Sequence, residues 1–289
     1  MPDPILPGRI GLYASMLHYG ISHNNDFAKE NTLFFNRLLE YVGDVRNKNI
    51  LDVGCGKSFW LTLLLHNSGA NVTGIDTEVV QPGFSLKKYF DLLKKNGIER
   101  ALRTLIWEQV FARNYYRKLE SLFGHNLNFD GIKLLPISRS KIDLPDNCID
   151  IVVSHEVFEH IENISATLDE IKRVMKQDAI TYIYVHNYTS LSGGHHIAWK
   201  YPDFEPSKKV PPWDHLRKNE YPDIPSWLNK MREQEYRKEF EKRFDIIEWI
   251  HTEKEGVDLL SESIRQELKD YSEHELLTKG FIIVARPKP

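Results

Sequence analysis

Glu156, Glu159 and His160 stand at i, i+3 and i+4, a spacing that would put two carboxylates and an imidazole on one face of a helix. With His186, His195 or His196 close by, such a face can hold a divalent cation. Glu156, Glu159, His160 and His196 are the candidate ligands. A hard ion such as Mg²⁺ there would lower the pKa of a substrate hydroxyl. Without a metal, His160 or His195 can serve as a base that takes the proton from a hydroxyl, amine or thiol. The plainer alternative is a Glu-His pair that faces solvent and orders a turn.

The second reactive stretch is backbone rather than side chain. Asn49-Ile50-Leu51-Asp52-Val53-Gly54-Cys55-Gly56-Lys57-Ser58 reads as a buried strand running into a glycine turn. Gly54 and Gly56 permit backbone angles that a side chain forbids and let a ligand come close. Phe59 to Leu65 supplies the apolar body of a following helix. Asn71-Val72-Thr73-Gly74-Ile75-Asp76 is a second strand, ending in an acid about 20 residues beyond the turn. In dinucleotide-type folds an acid at that separation takes ribose hydroxyls. Phe59 stands where the nicotinamide fingerprint needs its third glycine, which argues against that cofactor.

Asp52-Val53-Gly54-Cys55-Gly56 followed by Asp76 resembles motif I of the class I S-adenosylmethionine-dependent methyltransferases, although Ser58 replaces a glycine common there. Ile142-Asp143-Leu144-Pro145-Asp146-Asn147-Cys148-Ile149-Asp150, leading into Ile151–Ser154, resembles the family's approach to strand four. The resemblance implies S-adenosylmethionine as cofactor. It places Asp52, Gly54 and Gly56 at the methionine part, Asp76 on the ribose, Ser138 and Arg139 near adenine, and His155 near the transferred methyl. Cys55, Thr77 and Ser154 lie in the same segments and complete the candidate cofactor set. Ser138 occupies the place where relatives often carry an adenine-contacting acid. Some relatives use a Glu-x-x-Glu-His motif to hold a metal.

The reaction so implied is an in-line displacement at a sulfonium methyl. Its leaving group is neutral, so alignment of nucleophile and methyl does most of the work, roughly 7–11 kcal/mol. The expected architecture is α/β: a Rossmann-like, seven-stranded, mostly parallel sheet with helices on both faces and inserted caps, in one methyltransferase domain over 1–289. Residues 1–48 form an N-terminal segment with a helix at Phe27–Val42, preceded by Tyr13, Tyr19 and His23, which can either reach the cofactor pocket or simply decorate the surface. Residues 86–124 form a helical insertion, a lid or an interface, with Trp107, Phe111, Tyr115 and Tyr116. Residues 188–243 hold a substrate loop with Trp199, Trp213, His195, His196, His215 and Arg217, then a helix at Pro225–Arg243. Strands are expected at Ile132–Ile137, Ile180–Val185, Phe244–Ile250 and Phe281–Ala285, with Asp178-Ala179 as the turn before the second of these.

The net charge of −3 carries no general attraction to nucleic acid or to an anionic membrane. Cys55 and Cys148, the two cysteines, suggest no disulfide framework, and no signal or spanning segment is visible, so a cytoplasmic protein is expected. The acceptor expected is a small molecule or sugar, methylated at oxygen, because caps can close a concave pocket. The rival readings are a non-catalytic cofactor- or partner-binding protein on the same scaffold and a metal-assisted RNA 2′-O-methyltransferase.

Overall fold

The computed structural model describes residues 26–77, 79, 90, 93–94, 97–98, 104–137, 141–196, 199, 210–221 and 227–289. Seven strands make one mixed sheet: β1 (Asn49–Val53), β2 (Asn71–Asp76), β3 (Lys133–Pro136), β4 (Ile149–His155), β5 (Met175–His186), β6 (Phe244–His251) and β7 (Gly280–Pro287). Their order is β3-β2-β1-β4-β5-β7-β6. The pairs β2–β3, β1–β4 and β4–β5 are parallel. β7 runs antiparallel to both β5 and β6. This is the α/β class expected from the glycine turn.

By internal contacts the chain divides into two compact units. One comprises Met1–Lys48 and Cys55–Pro136, the other Asn49–Gly54 and Ile137–Pro289. In the first, helix α1 (26–42) buries Phe34, Phe35 and Leu38. Phe34 meets Trp60 of α2 (Trp60–Asn67) edge to face at 6.0 Å, and Phe35 meets Phe123 at 6.0 Å. Helix α3 (Arg113–Phe123) continues a π-helical turn at Trp107–Ala112. Phe111 and Tyr115 are buried, and the Tyr115 hydroxyl accepts a 2.6 Å hydrogen bond from Asn31. These two rings therefore pack inside this unit. Tyr13, Tyr19 and His23, and most of 86–103, lie outside the described residues.

In the second unit, α4 (Ile164–Val174) turns directly into β5. Asp178-Ala179 is strand rather than the expected turn. The reason is a clamp on the helix end. Arg173 donates to Ile142 O and Leu144 O and pairs with Glu170 and Asp146, while Asn147 N and Cys148 N donate to the carbonyls of Arg173 and Val174. With its last carbonyls held, the helix stops at Val174 and Met175 pairs with Ile149.

Two further expectations change here. The helix expected from Pro225 starts only at Glu233: α5 is Glu233–Glu241. Asn229 is spent on other backbone, since its Nδ2 donates to Phe158 O and Ile161 O, and the Arg232 guanidinium is held by Glu275. The described part of the expected substrate loop is largely core. Leu191, Trp199, Val210 and Trp213 pack with Leu260, Ile264, Leu268, Leu276 and Leu277 from the segment that includes α6 (Glu262–Glu267) and α7 (Glu273–Leu277). Trp213 is fully buried and donates its indole N–H to Leu276 O. Each large side chain so buried contributes about 1.5–3 kcal/mol, so Trp199 and Trp213 hold the unit together instead of facing a substrate.

Candidate functional site

The glycine turn follows from two different constraints. Gly54 has φ +77°, and a Cβ built on it would stand 2.3 Å from both Val157 methyls. Gly56 has φ +64°, yet nothing lies within 4 Å of its Cβ position. Gly54 thus meets a packing limit, whereas Gly56 borders open space. The Gly56 N–H donates to Asp76 Oδ2 at 2.9 Å, and Cys55 N–H donates to Ile75 O. Asp76 therefore closes the turn as well as ending β2, and the Thr77 hydroxyl sits 3.4 Å from its other oxygen. The third irregular position of the turn is Phe59, not Ser58. Phe59 caps α2 in the left-handed region at φ +31°, ψ +37°. An L-residue there costs about 1–2 kcal/mol. Its buried ring, packed on Tyr116 and Phe129, offsets that cost. Tyr116 also donates its hydroxyl to Ser58 O at 2.9 Å, which holds the turn from outside.

Of the other proposed cofactor residues, Asp52 is buried at the end of β1. Ser154 is fully buried and donates to Val53 O, stitching β4 to β1. His155 ends β4 with its ring 5.0 Å from that of Tyr184. Burial pushes the Tyr184 hydroxyl well above its usual pKa. Ser138 and Arg139 lie outside the described residues.

Beyond β4 the single helical face expected for Glu156, Glu159 and His160 is absent. Glu156 has φ +54°, and its N–H donates to Tyr184 O. Only Phe158–His160 winds, as one 3₁₀ turn, followed by extended Ile161. The left-handed step separates Glu156 from the two residues it was to join. The cluster that forms instead is Glu159, His160 and His195, whose ligand-capable atoms lie within 4.8 Å of one another. Glu156 and His196 are not part of it.

This cluster is built by long-range contacts. Glu159 is 2 % exposed, with His195 Nε2 3.9 Å from its Oε1. His195, itself buried, adopts φ +57°. Its ring lies 5.0 Å from that of His160 and 4.8 Å from that of His186. The His160 Nδ1 meets Trp227 O at 3.0 Å. A carbonyl only accepts, so Nδ1 carries a proton, and in the neutral ring Nε2 is the basic nitrogen. Asn229, bonded to both ends of the turn, locks its shape.

Behind the cluster runs a buried chain that sequence spacing did not reveal. Ser192 Oγ lies 2.8 and 2.9 Å from the two Glu255 oxygens, and His186 Nε2 lies 2.8 Å from Ser192 Oγ. Ser192 donates to the carboxylate and accepts from His186. Burial raises the Glu255 pKa, against the hydrogen bonds from Ser192. His215 is likewise set apart: it bonds Tyr188 O through Nε2, and burial lowers its pKa to about 4. Arg217 is paired with Glu267. Neither is free to act as the expected substrate contact.

A seven-stranded α/β sheet with its last strand antiparallel, and a glycine turn closed by an acid, define a class of cofactor-binding transferase. The profile of the methyltransferase domain family matches residues 23–246, and the chain belongs to that family. Its fold is that of the class I S-adenosylmethionine-dependent methyltransferases, and family membership implies S-adenosylmethionine as methyl donor. Among solved structures, an S-adenosylmethionine-dependent methyltransferase from Mesorhizobium loti is 15 % identical with TM-score 0.51, over 87 % of this chain and 96 % of that one. A Listeria monocytogenes protein provisionally assigned to the same class is 15 % identical with TM-score 0.50, over 89 % and 98 %. At that identity both speak for the fold alone. A search of curated protein sequences found no match. Among the described residues, no helix is long and apolar enough to cross a membrane.

Proposed function

We propose that this methyltransferase, read as one domain over 1–289, methylates an oxygen of a small molecule or sugar, with His160 as the base. The observation that carries this is the buried Glu159 carboxylate facing the imidazoles of His160 and His195 beyond β4 and β5. Ligands of open α/β sheets bind beyond the carboxyl ends of the strands. In the neutral ring, the basic nitrogen of His160 is Nε2, because Nδ1 is engaged by Trp227 O. Glu159 would stabilise the imidazolium formed when His160 accepts the hydroxyl proton. His195, ring against ring with His160 and His186, would orient the base. In this reading Gly54, Cys55, Gly56, Asp76 and Thr77 hold S-adenosylmethionine, and Asp52, Ser154 and His155 support it.

Mg²⁺ has no support. One carboxylate and two imidazoles do not match the oxygen octahedron that this ion demands, and no step is assigned to it. The net charge of −3 favours a small acceptor over RNA. The test is calorimetric titration with S-adenosylhomocysteine, followed by transfer of labelled methyl to a panel of hydroxylated small molecules. Binding, with label appearing on a hydroxyl, is expected. No binding would sink the reading, and label on RNA or on nitrogen would overturn its acceptor.

A further inference from the structure

We propose a second, separate site: a transition-metal site formed by Glu233, His251 and His274, with Zn²⁺ or a similar borderline divalent ion as its ligand. The three residues come from three elements, the first residue of α5, the last of β6 and the second of α7. Their ligand-capable atoms all lie within 4.8 Å of one another. His251 Nε2 is 2.8 Å from Glu233 Oε1 and 3.1 Å from His274 Nε2. The two rings stand at 89° with centroids 4.3 Å apart, so the nitrogens meet while the ring bodies diverge.

Proton counting argues against an ordinary hydrogen-bond chain. His251 Nε2 offers either one hydrogen or one lone pair. If it carries hydrogen, that hydrogen goes to the carboxylate, and the His274 nitrogen is left facing an N–H already used. If it is bare, it can accept from His274, but its remaining side then meets carboxylate oxygen. No single proton serves both short contacts fully. A cation replaces the shared proton and satisfies all three atoms at once. Two ligands of a tetrahedral zinc ion, each about 2.0–2.1 Å from it, are about 3.3 Å apart. The observed separations of 2.8 and 3.1 Å need only a small opening to reach that spacing.

The donor set selects the ion. Two imidazoles and one carboxylate suit Zn²⁺ and its neighbours in the first transition row, and disfavour Ca²⁺ and Mg²⁺. Glu233 is buried whereas both histidines are exposed, which leaves a path for entry and room for water as fourth ligand. His251 pairs with Phe281, one residue from the Gly280–His186 pair, so the site lies on the same sheet edge as His186, two strands outward. An ion there would tie the starts of α5 and α7 to the end of β6.

The experiment is titration of the chelator-stripped full chain with ZnCl₂, with stoichiometry, affinity and thermal midpoint as readouts. Wild type should take up an equivalent with a dissociation constant below about 1 μM and gain thermal midpoint. His274→Ala, an exposed change whose folding is to be checked by circular dichroism, should weaken that equivalent at least tenfold. His251→Ala should do the same, whereas His160→Ala should leave it in place. No uptake by wild type, or less than tenfold weakening in His274→Ala, overturns the proposal. Neither result depends on the methyltransferase reading.

Discussion

The turn at Gly54–Gly56 is an arrangement of backbone, and the edge beyond β4 and β5 is one of side chains. In the turn, most polar contacts are backbone N–H groups bonded to residues at the end of β2, and Tyr116 adds one from outside. At the edge, Glu159, His160, His186, His195, Ser192 and Glu255 come from four separate segments and are mostly buried. Strain also differs. The turn's positive φ values fall mainly on glycines, whereas the edge carries them on Glu156 and His195. Left-handed non-glycine residues cost of order 1–3 kcal/mol each and persist where surrounding contacts over-determine them. The turn leaves open space beside Gly56, and the edge gathers imidazoles.

Substitutions can separate these two designs. The largest effect is expected at the edge: His160→Ala should lower methyl transfer on the order of 10²–10⁴-fold, the range for loss of a general base. S-adenosylhomocysteine affinity in that variant should stay within about twofold of wild type, as calorimetry would read. An equal loss of cofactor affinity would break the distinction. In the turn, Gly54→Ala should destabilise the fold by roughly 2–4 kcal/mol, because its methyl meets Val157 and its φ is positive. Urea denaturation reads this directly.

His215 tests whether buried imidazoles near the edge act on stability rather than catalysis. Its folded pKa, about 4, lies below the usual histidine value. Between pH 6.5 and 4 the unfolded chain therefore binds the extra proton, and stability falls as pH falls. The expected loss is on the order of 3 kcal/mol by pH 4. His215→Gln should flatten that part of the stability curve, and an unchanged slope would refute the assignment.

Asp76→Ala should weaken S-adenosylhomocysteine binding at least tenfold, about 1.4 kcal/mol. The smallest stability effect belongs to Gly56→Ala. Its methyl enters open space, so only the φ penalty of about 1 kcal/mol remains. The contrast between the two glycine variants in one denaturation series sharpens the reading of Gly54 as a packing position.

The strands and the glycine turn were legible because their signals are local. Ile50–Val53 and Val72–Ile75 are short apolar runs ended by turn residues, and they became β1 and β2. Boundaries failed where a distant side chain took over a backbone group. Arg173 and the 142–148 segment end α4 and extend β5 back to Met175, and Asn229 delays α5 to Glu233. Aromatic residues in a proline-rich stretch looked like substrate contacts, yet Trp199 and Trp213 found a core supplied largely by Leu260, Ile264, Leu268, Leu276 and Leu277, far later in the chain.

By itself, then, the amino-acid sequence determined the fold class and the glycine turn that Asp76 closes, since periodicity, glycine and a terminal acid act through neighbouring atoms. Only the tertiary structure decided which histidines meet which carboxylate. Spacing proposed Glu156, Glu159 and His160 on one helix, but one left-handed residue removed Glu156. The loop from β5 then supplied His195, and β6 brought His251 to Glu233 and His274. Side-chain clusters depend on where separate backbones pack, and local residue patterns do not specify that packing.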